Sequence, residues 1–167
     1  MVVAALAAAC ATVPARDGGP ARPLLPPAAP AESAAPGVID DDAAIAPRLA
    51  KARPLLEARL VGAHRRLGRG RPAVASAVLG ELGPGGQQAF VAPLRRGRCY
   101  IAIAVASSDD QELDLALLDA DGLDVSRDTG PGSAAAVEVC PTADATYRLV
   151  VRMYGGSSAY ALQLYGS

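Results

Sequence analysis

The stretch RCYIAIAVA, Arg98 to Ala106, decides the fold. Cys99, Ile101, Ile103 and Val105 fall on one side of a period of two, and Tyr100, Ala102, Ala104 and Ala106 on the other. Successive side chains of an extended chain point to opposite faces, so this alternation predicts a β-strand. The same period runs outward in both directions. Upstream, VASAVLGEL (residues 74–82) and the short run Gln87 to Pro93 around Phe90 are strands separated by the break Gly83 to Gly86. Downstream, LDLALLD groups Leu113, Leu115 and Leu117 with Asp114 opposite, and AAVEVC follows. TYRLVVRMY aligns Tyr147, Leu149, Val151 and Met153, and AYALQLY aligns Tyr160, Leu162 and Leu164. The connectors Asp119 to Gly122, Gly130 to Gly132 and Gly155 to Ser158 are rich in turn-forming residues. Seven or eight short strands with hairpin signals predict a mainly β fold, an antiparallel jelly-roll-like β-sandwich over residues 73–167.

The aromatic residues agree with that placement. Phe90, Tyr100, Tyr147, Tyr154, Tyr160 and Tyr165 are the whole supply, so the dense core belongs to the C-terminal part. The N-terminus reads differently. Met1 to Ala9 is an uncharged apolar run, shorter than the ~20 residues that span a bilayer. Its small residues before Cys10 look like the cleavage region of a secretory signal. Leu6 to Cys10, LAAAC, resembles a bacterial lipoprotein cleavage site, with Ala7 standing where Leu is usual. That resemblance makes residues 1–10 a leader and Cys10 a lipidated anchor, on a protein of the cell envelope or one that is secreted. Residues 11–39 are rich in Pro and Ala, with Leu24 and Leu25 isolated between prolines, and are expected to be a disordered linker.

The net charge of −1 hides an asymmetry. From Arg48 to Arg71 the charges are basic apart from Glu57, and from Asp109 to Asp128 they are acidic apart from Arg127, so the two segments can attract each other. Residues 40–70 are expected to be a basic helical segment. Asp40, Asp41 and Asp42 suit a helix N-terminus, and Pro47 and Pro54 predict two short helices rather than one long one. Leu56, Leu60, Ala63 and Leu67 recur at helical spacing. This stripe packs on the sandwich or the segment is a solvated spacer; otherwise the basic helix touches anionic lipid or a polyanion. No aromatic interleaves the arginines, which speaks against nucleic acid as a partner. His64, the one histidine, is expected as a polar surface residue, without the partners of a triad or metal site.

Cys99 and Cys140 fall in two strand regions and are candidates for a disulfide in an exported domain. Closing that loop would stabilise the fold by roughly 4 kcal/mol in the chain-entropy treatment. The three cysteines are then all assigned, Cys10 to lipid and the other two to the bridge.

The succession FVAPLRRGRCY, LDLALLDADG, VEVCP, TYRLVV and YALQLY resembles the bacterial pre-peptidase C-terminal domain. Leu113-Asp114-Leu115 matches that family's Asp-Leu-Asp-Leu-type strand, and Asp119 to Gly122 its hairpin. Its late Gly-x-Tyr-x-Leu strand is matched in part, with Ala145 where Gly is usual. The resemblance spans Ala73 to Ser167 and implies a small sandwich acting as a non-catalytic accessory module for binding, secretion or folding.

For chemistry, Asp119, Asp121 and Asp124 form a candidate weak calcium site, since alternate carboxylates supply the oxygens calcium needs. The string lacks EF-hand spacing, and turn preferences also explain it. No other cofactor is suggested. Ser107, Ser108 and Ser126 have no histidine in their half of the chain, and neither a nucleophile elbow nor a phosphate-cradling glycine motif occurs. The expectation is a protein that is not an enzyme, binding a protein or glycan partner at the envelope. The alternative is a structural subunit of a larger envelope or secreted assembly, docked through the basic helical segment.

Overall fold

The computed structural model describes residues 42–167; the expected leader with Cys10 and the Pro/Ala linker lie outside the described residues. The elements are α1 (Asp42–Leu67), β1 (Val78–Leu82), β2 (Gln87–Leu94), β3 (Tyr100–Ala106), β4 (Leu113–Leu118), β5 (Asp124–Asp128), β6 (Ala134–Val139), β7 (Ala145–Met153) and β8 (Ser158–Gly166). The strands form two antiparallel four-stranded sheets, ordered β1-β8-β3-β6 and β2-β7-β4-β5. This is the jelly-roll order, in which the chain passes back and forth between the sheets. Of the three expected turns, Asp119 to Gly122 alone closes a hairpin, between β4 and β5. The glycine turns after β5 and β7 instead carry the chain to the opposite sheet.

Strand β3 explains the architecture, because all seven of its residues are buried. Tyr100, Ala102, Ala104 and Ala106 face the second sheet, packing with Leu113, Leu115, Leu117 and Val151. Small residues on this face leave room for the leucines opposite. Ile101, Ile103 and Val105 face the other way, into a second core with Leu56, Leu60 and Ala63 of α1. The described residues therefore form three layers, helix on sheet on sheet. A strand apolar on both faces needs a cover on each, and the helical stripe supplies the second cover.

The helix corrects the expectation of two short helices: residues 42–67 form one helix, with Pro47 and Pro54 inside it. Both prolines are exposed, on the side away from the sheet. The carbonyls that lose a donor there, those of Ala43 and Ala50, can turn to water, so the usual cost of an interior proline is reduced. Meanwhile the buried stripe on the far face holds the axis straight enough to dock. Leu67 is 36% exposed and lies beyond that contact. Among the described residues no helix is long and apolar enough to cross a membrane.

The two flanks of the sandwich differ. On one, β5 and β6 meet, and the Asp128 carboxylate accepts the Ala136 N–H at 2.9 Å, which ties the two edges together. On the other, β1 and β2 are, among the described residues, the free edges of their sheets, and they diverge.

Candidate functional site

The divergence of β1 and β2 opens a cleft of about 360 Å³ into the sandwich. Its walls are Val78 on β1, Phe90 on β2, Leu149 on β7, and Leu162 and Leu164 on β8. Alternation places these side chains inward, where no further strand among the described residues covers them. Val78 and Val91, 40% and 72% exposed, stand at the mouth. The cleft is thus apolar, and its polar groups gather at one end.

That end is the turn Arg95-Arg96-Gly97-Arg98 between β2 and β3. Gly97 adopts φ 76°, a left-handed conformation that side-chain-bearing residues disfavour, and so lets the turn close tightly. Asp144 steadies the turn, accepting the Arg96 N–H at 2.7 Å and lying 3.6 Å from the Arg95 guanidinium. The Tyr100 hydroxyl accepts the Arg95 N–H at 3.2 Å. The Arg98 guanidinium lies over the Tyr100 ring, 5.9 Å from its centre, and its Nε donates to the Ser167 carbonyl at 2.6 Å. Two guanidinium groups are therefore held at the end of an apolar trough. Such an arrangement suits a ligand with an apolar body and an acidic group at one end.

The residues singled out from sequence are placed elsewhere. Cys99 and Cys140 form a disulfide with Cα atoms 4.1 Å apart. They extend the β3–β6 register by one pair beyond Tyr100 and Val139, which is why the two cysteines meet. Asp119 Oδ1 accepts the N–H groups of Asp121 and Leu123 at 3.0 and 2.9 Å, fixing the β4–β5 hairpin. Asp124 pairs with Arg127 at 2.7 Å, and this pairing pushes the Arg127 guanidinium pKa up. Among the described residues no group of three or more His, Cys, Asp or Glu is placed to hold a metal ion. Ser107 Oγ lies 2.9 Å from Ser158 Oγ, and Ser108 donates to Asp110. His64 is not a free surface residue. Its ring stacks on Tyr165 at 4.1 Å, and its Nε2 lies 2.8 Å from the Arg71 carbonyl oxygen.

Four of the basic residues between Arg48 and Arg71 act as staples. Arg48 pairs with Glu81 on β1 at 3.2 Å, and Arg71 pairs with Glu138 on β6 at 2.6 Å, joined by Arg69 at 3.4 Å. Arg59 donates to Asp109 and, at 2.7 Å, to Ser133. The hydrogen bond from Arg59, with a further one from Ser133, lowers the Asp109 pKa. Of the two readings for this segment, the stripe of Leu56, Leu60 and Ala63 is engaged with the chain's own sheet, which leaves exposed arginines together with Leu55 and Val61 on the outer side.

The cleft is absent from the sequence reading because strand order creates it. One local signal was available: QQAFVAPL carries no charge, and Val91 falls on its outward face.

No protein-family model matches this chain, and no curated protein does. Among solved structures, a mitogen from Yersinia pseudotuberculosis is similar at 14% identity, covering 56% of this chain and 86% of that one, with TM-score 0.46. PliG of Aeromonas hydrophila, a periplasmic inhibitor of g-type lysozyme, is 12% identical over 59% of this chain and 90% of its own, with TM-score 0.45. The pre-peptidase C-terminal domain of a Bacillus anthracis collagenase is 17% identical over 56% and 91%, with TM-score 0.40. That domain is one of several β-sandwiches the chain resembles, and at these scores the likenesses carry no argument about function.

Proposed function

We propose that this protein is a non-catalytic β-sandwich binding module that seats the apolar part of a protein partner in the cleft between β1 and β2. The observation that carries this reading is the contrast between the flanks. One is sealed by the meeting of β5 and β6; the other leaves an apolar trough open to water with two arginines fixed at its end. Exposed apolar surface costs free energy unless a partner covers it. A protein fits better than a glycan, because the cleft's aromatic rings, Phe90 and Tyr100, are turned into the core rather than presented as flat platforms. The Cys99–Cys140 bridge supports an oxidising location, in the envelope or outside the cell. Attachment through a lipidated Cys10 belongs to the same proposal; a Cys10→Ala protein that still incorporates a fatty-acid analogue would remove it.

The cleft is tested by affinity capture from envelope extract with the wild-type chain and with Val78→Lys/Val91→Lys. Both positions are exposed, so the substitutions spare the fold while placing charge across the mouth. A partner held by the wild type and reduced at least tenfold with the variant is expected. Equal retention overturns the cleft as the site.

A further inference from the structure

The edges of a sheet expose unpaired backbone groups, and proteins guard them with charge, brevity or cover. Three of the four edges here are guarded. Strand β5 carries Asp124, Arg127 and Asp128 within five residues. Strand β6 has its Ala136 N–H taken by Asp128 and its Glu138 paired with Arg69 and Arg71. Strand β1 is five residues long and carries Glu81. Strand β2 runs for eight residues, Gln87–Leu94, without a single charge.

The register tells which of its backbone groups are free. Met153 N–H donates to the Gly86 carbonyl at 2.9 Å, and the antiparallel ladder then pairs every second residue, Gln88, Phe90 and Ala92, with β7. Gln87, Ala89 and Val91 turn their N–H and C=O groups away from β7, toward the open flank. Pro93 shares their side, where its missing donor costs no ladder bond. A proline is tolerated in a strand in such a position, which agrees with a free edge.

We infer that β2 accepts an extended peptide as a fifth, antiparallel strand of its sheet, with alternate apolar side chains in the cleft and an acidic residue at its N-terminal end facing Arg95 and Arg98. The inference rests on the cleft being the binding site. The added strand lies about 4.8 Å beyond β2, over the trough that Val78, Phe90 and Leu164 leave open. Its backbone satisfies the three free residues, and its side chains of one parity replace the missing inner face. Charge selects the occupant. A second copy of β2 would bring only Gln87 and Gln88 to the arginines, whereas a carboxylate gains paired, charge-assisted hydrogen bonds.

The test uses the ¹⁵N-labelled full chain and the probe acetyl-Asp-Glu-Val-Thr-Val-Thr-Val-Thr-amide at up to millimolar concentration. The amides of Gln87, Ala89 and Val91 should exchange at least tenfold more slowly with the probe, while those of Gln88, Phe90 and Ala92 change little. Methylating alternate amide nitrogens of the probe should weaken binding at least tenfold. Arg95→Glu/Arg98→Glu should do the same, and should favour a probe with Lys in place of its two acids. Three results overturn the inference: no protection at the three amides, equal binding of the methylated probe, or protection already present without probe. A concentration-dependent dimer in sedimentation, with those amides protected, would assign the edge to a second copy instead. A partner lost from Val78→Lys/Val91→Lys while the methylated probe binds undiminished would leave the cleft standing and remove strand addition alone. A partner retained by that variant removes both.

Discussion

Gly80 on β1 lies directly across from Tyr160 on β8, and the buried tyrosine ring covers the glycine. A Cβ at position 80 would sit 2.6 Å from ring carbons of Tyr160, far inside normal contact. The aromatic side chain fills the space the glycine leaves, so the two residues form one packing unit. Gly80→Ala should therefore destabilise the fold by about 1–3 kcal/mol, read by denaturant unfolding, because overpacking forces the ring or the strand to shift. An unchanged midpoint would mean the ring is loosely held. The same ring gives the protein an alkaline limit. Burial pushes the Tyr160 phenol pKa up to about 12, from 10.0. Above pH 10 the unfolded chain loses this proton while the folded chain keeps it. The stability present below pH 10 should thus fall, by on the order of 2 kcal/mol, as pH approaches 12. Tyr160→Phe, measured by unfolding at pH 8 to 11.5, should show a shallower decline; an identical slope would assign the alkaline loss to other groups.

Helix α1 and strand β3 show what could be read at the level of elements. Leu60 is 3% exposed and packs in the second core with Ile103 and Val105. Leu60→Ala should cost about 2–5 kcal/mol, as for other buried leucines, whereas Leu55→Ala, on the exposed side, should cost under 1. Similar losses at both would contradict the docked orientation. The period of the helix and the alternation of β3 were legible, since both depend only on neighbours along the chain. That both faces of β3 are covered came only with the docked helix, although isoleucines on one side and alanines on the other agree with it. The prolines misled because their penalty depends on whether the orphaned carbonyl reaches water, and that is settled by which face docks. The open edge of β2 was hidden for a similar reason. Strand order, which no local pattern encodes, decides which strand has one neighbour and which has two.

At the scale of the molecule, the jelly-roll order joins residues that are far apart in the chain. The Cys99–Cys140 bridge closes the ends of β3 and β6, in the sheet that also carries the helix. Replacing both cysteines with serine, or reducing the bridge, should remove roughly 4 kcal/mol and lower the melting temperature by roughly 10–20 °C. Calorimetry with and without reductant checks this, and an unchanged transition would mean that the bridge constrains little of the unfolded chain.

The pairing of β1 with β8 governs how the protein is born. Val78 finds its partner in Leu162, about 80 residues later. A ribosome working at roughly 5–20 residues per second needs several seconds to cover that distance. For that interval β1 has no partner strand, and β3 can pair with β6 alone until β8 is made. The sheet that carries the helix therefore cannot close until residues 158–166 have been made, so the apolar strand β3 stays without its full set of neighbours through most of the sandwich's synthesis.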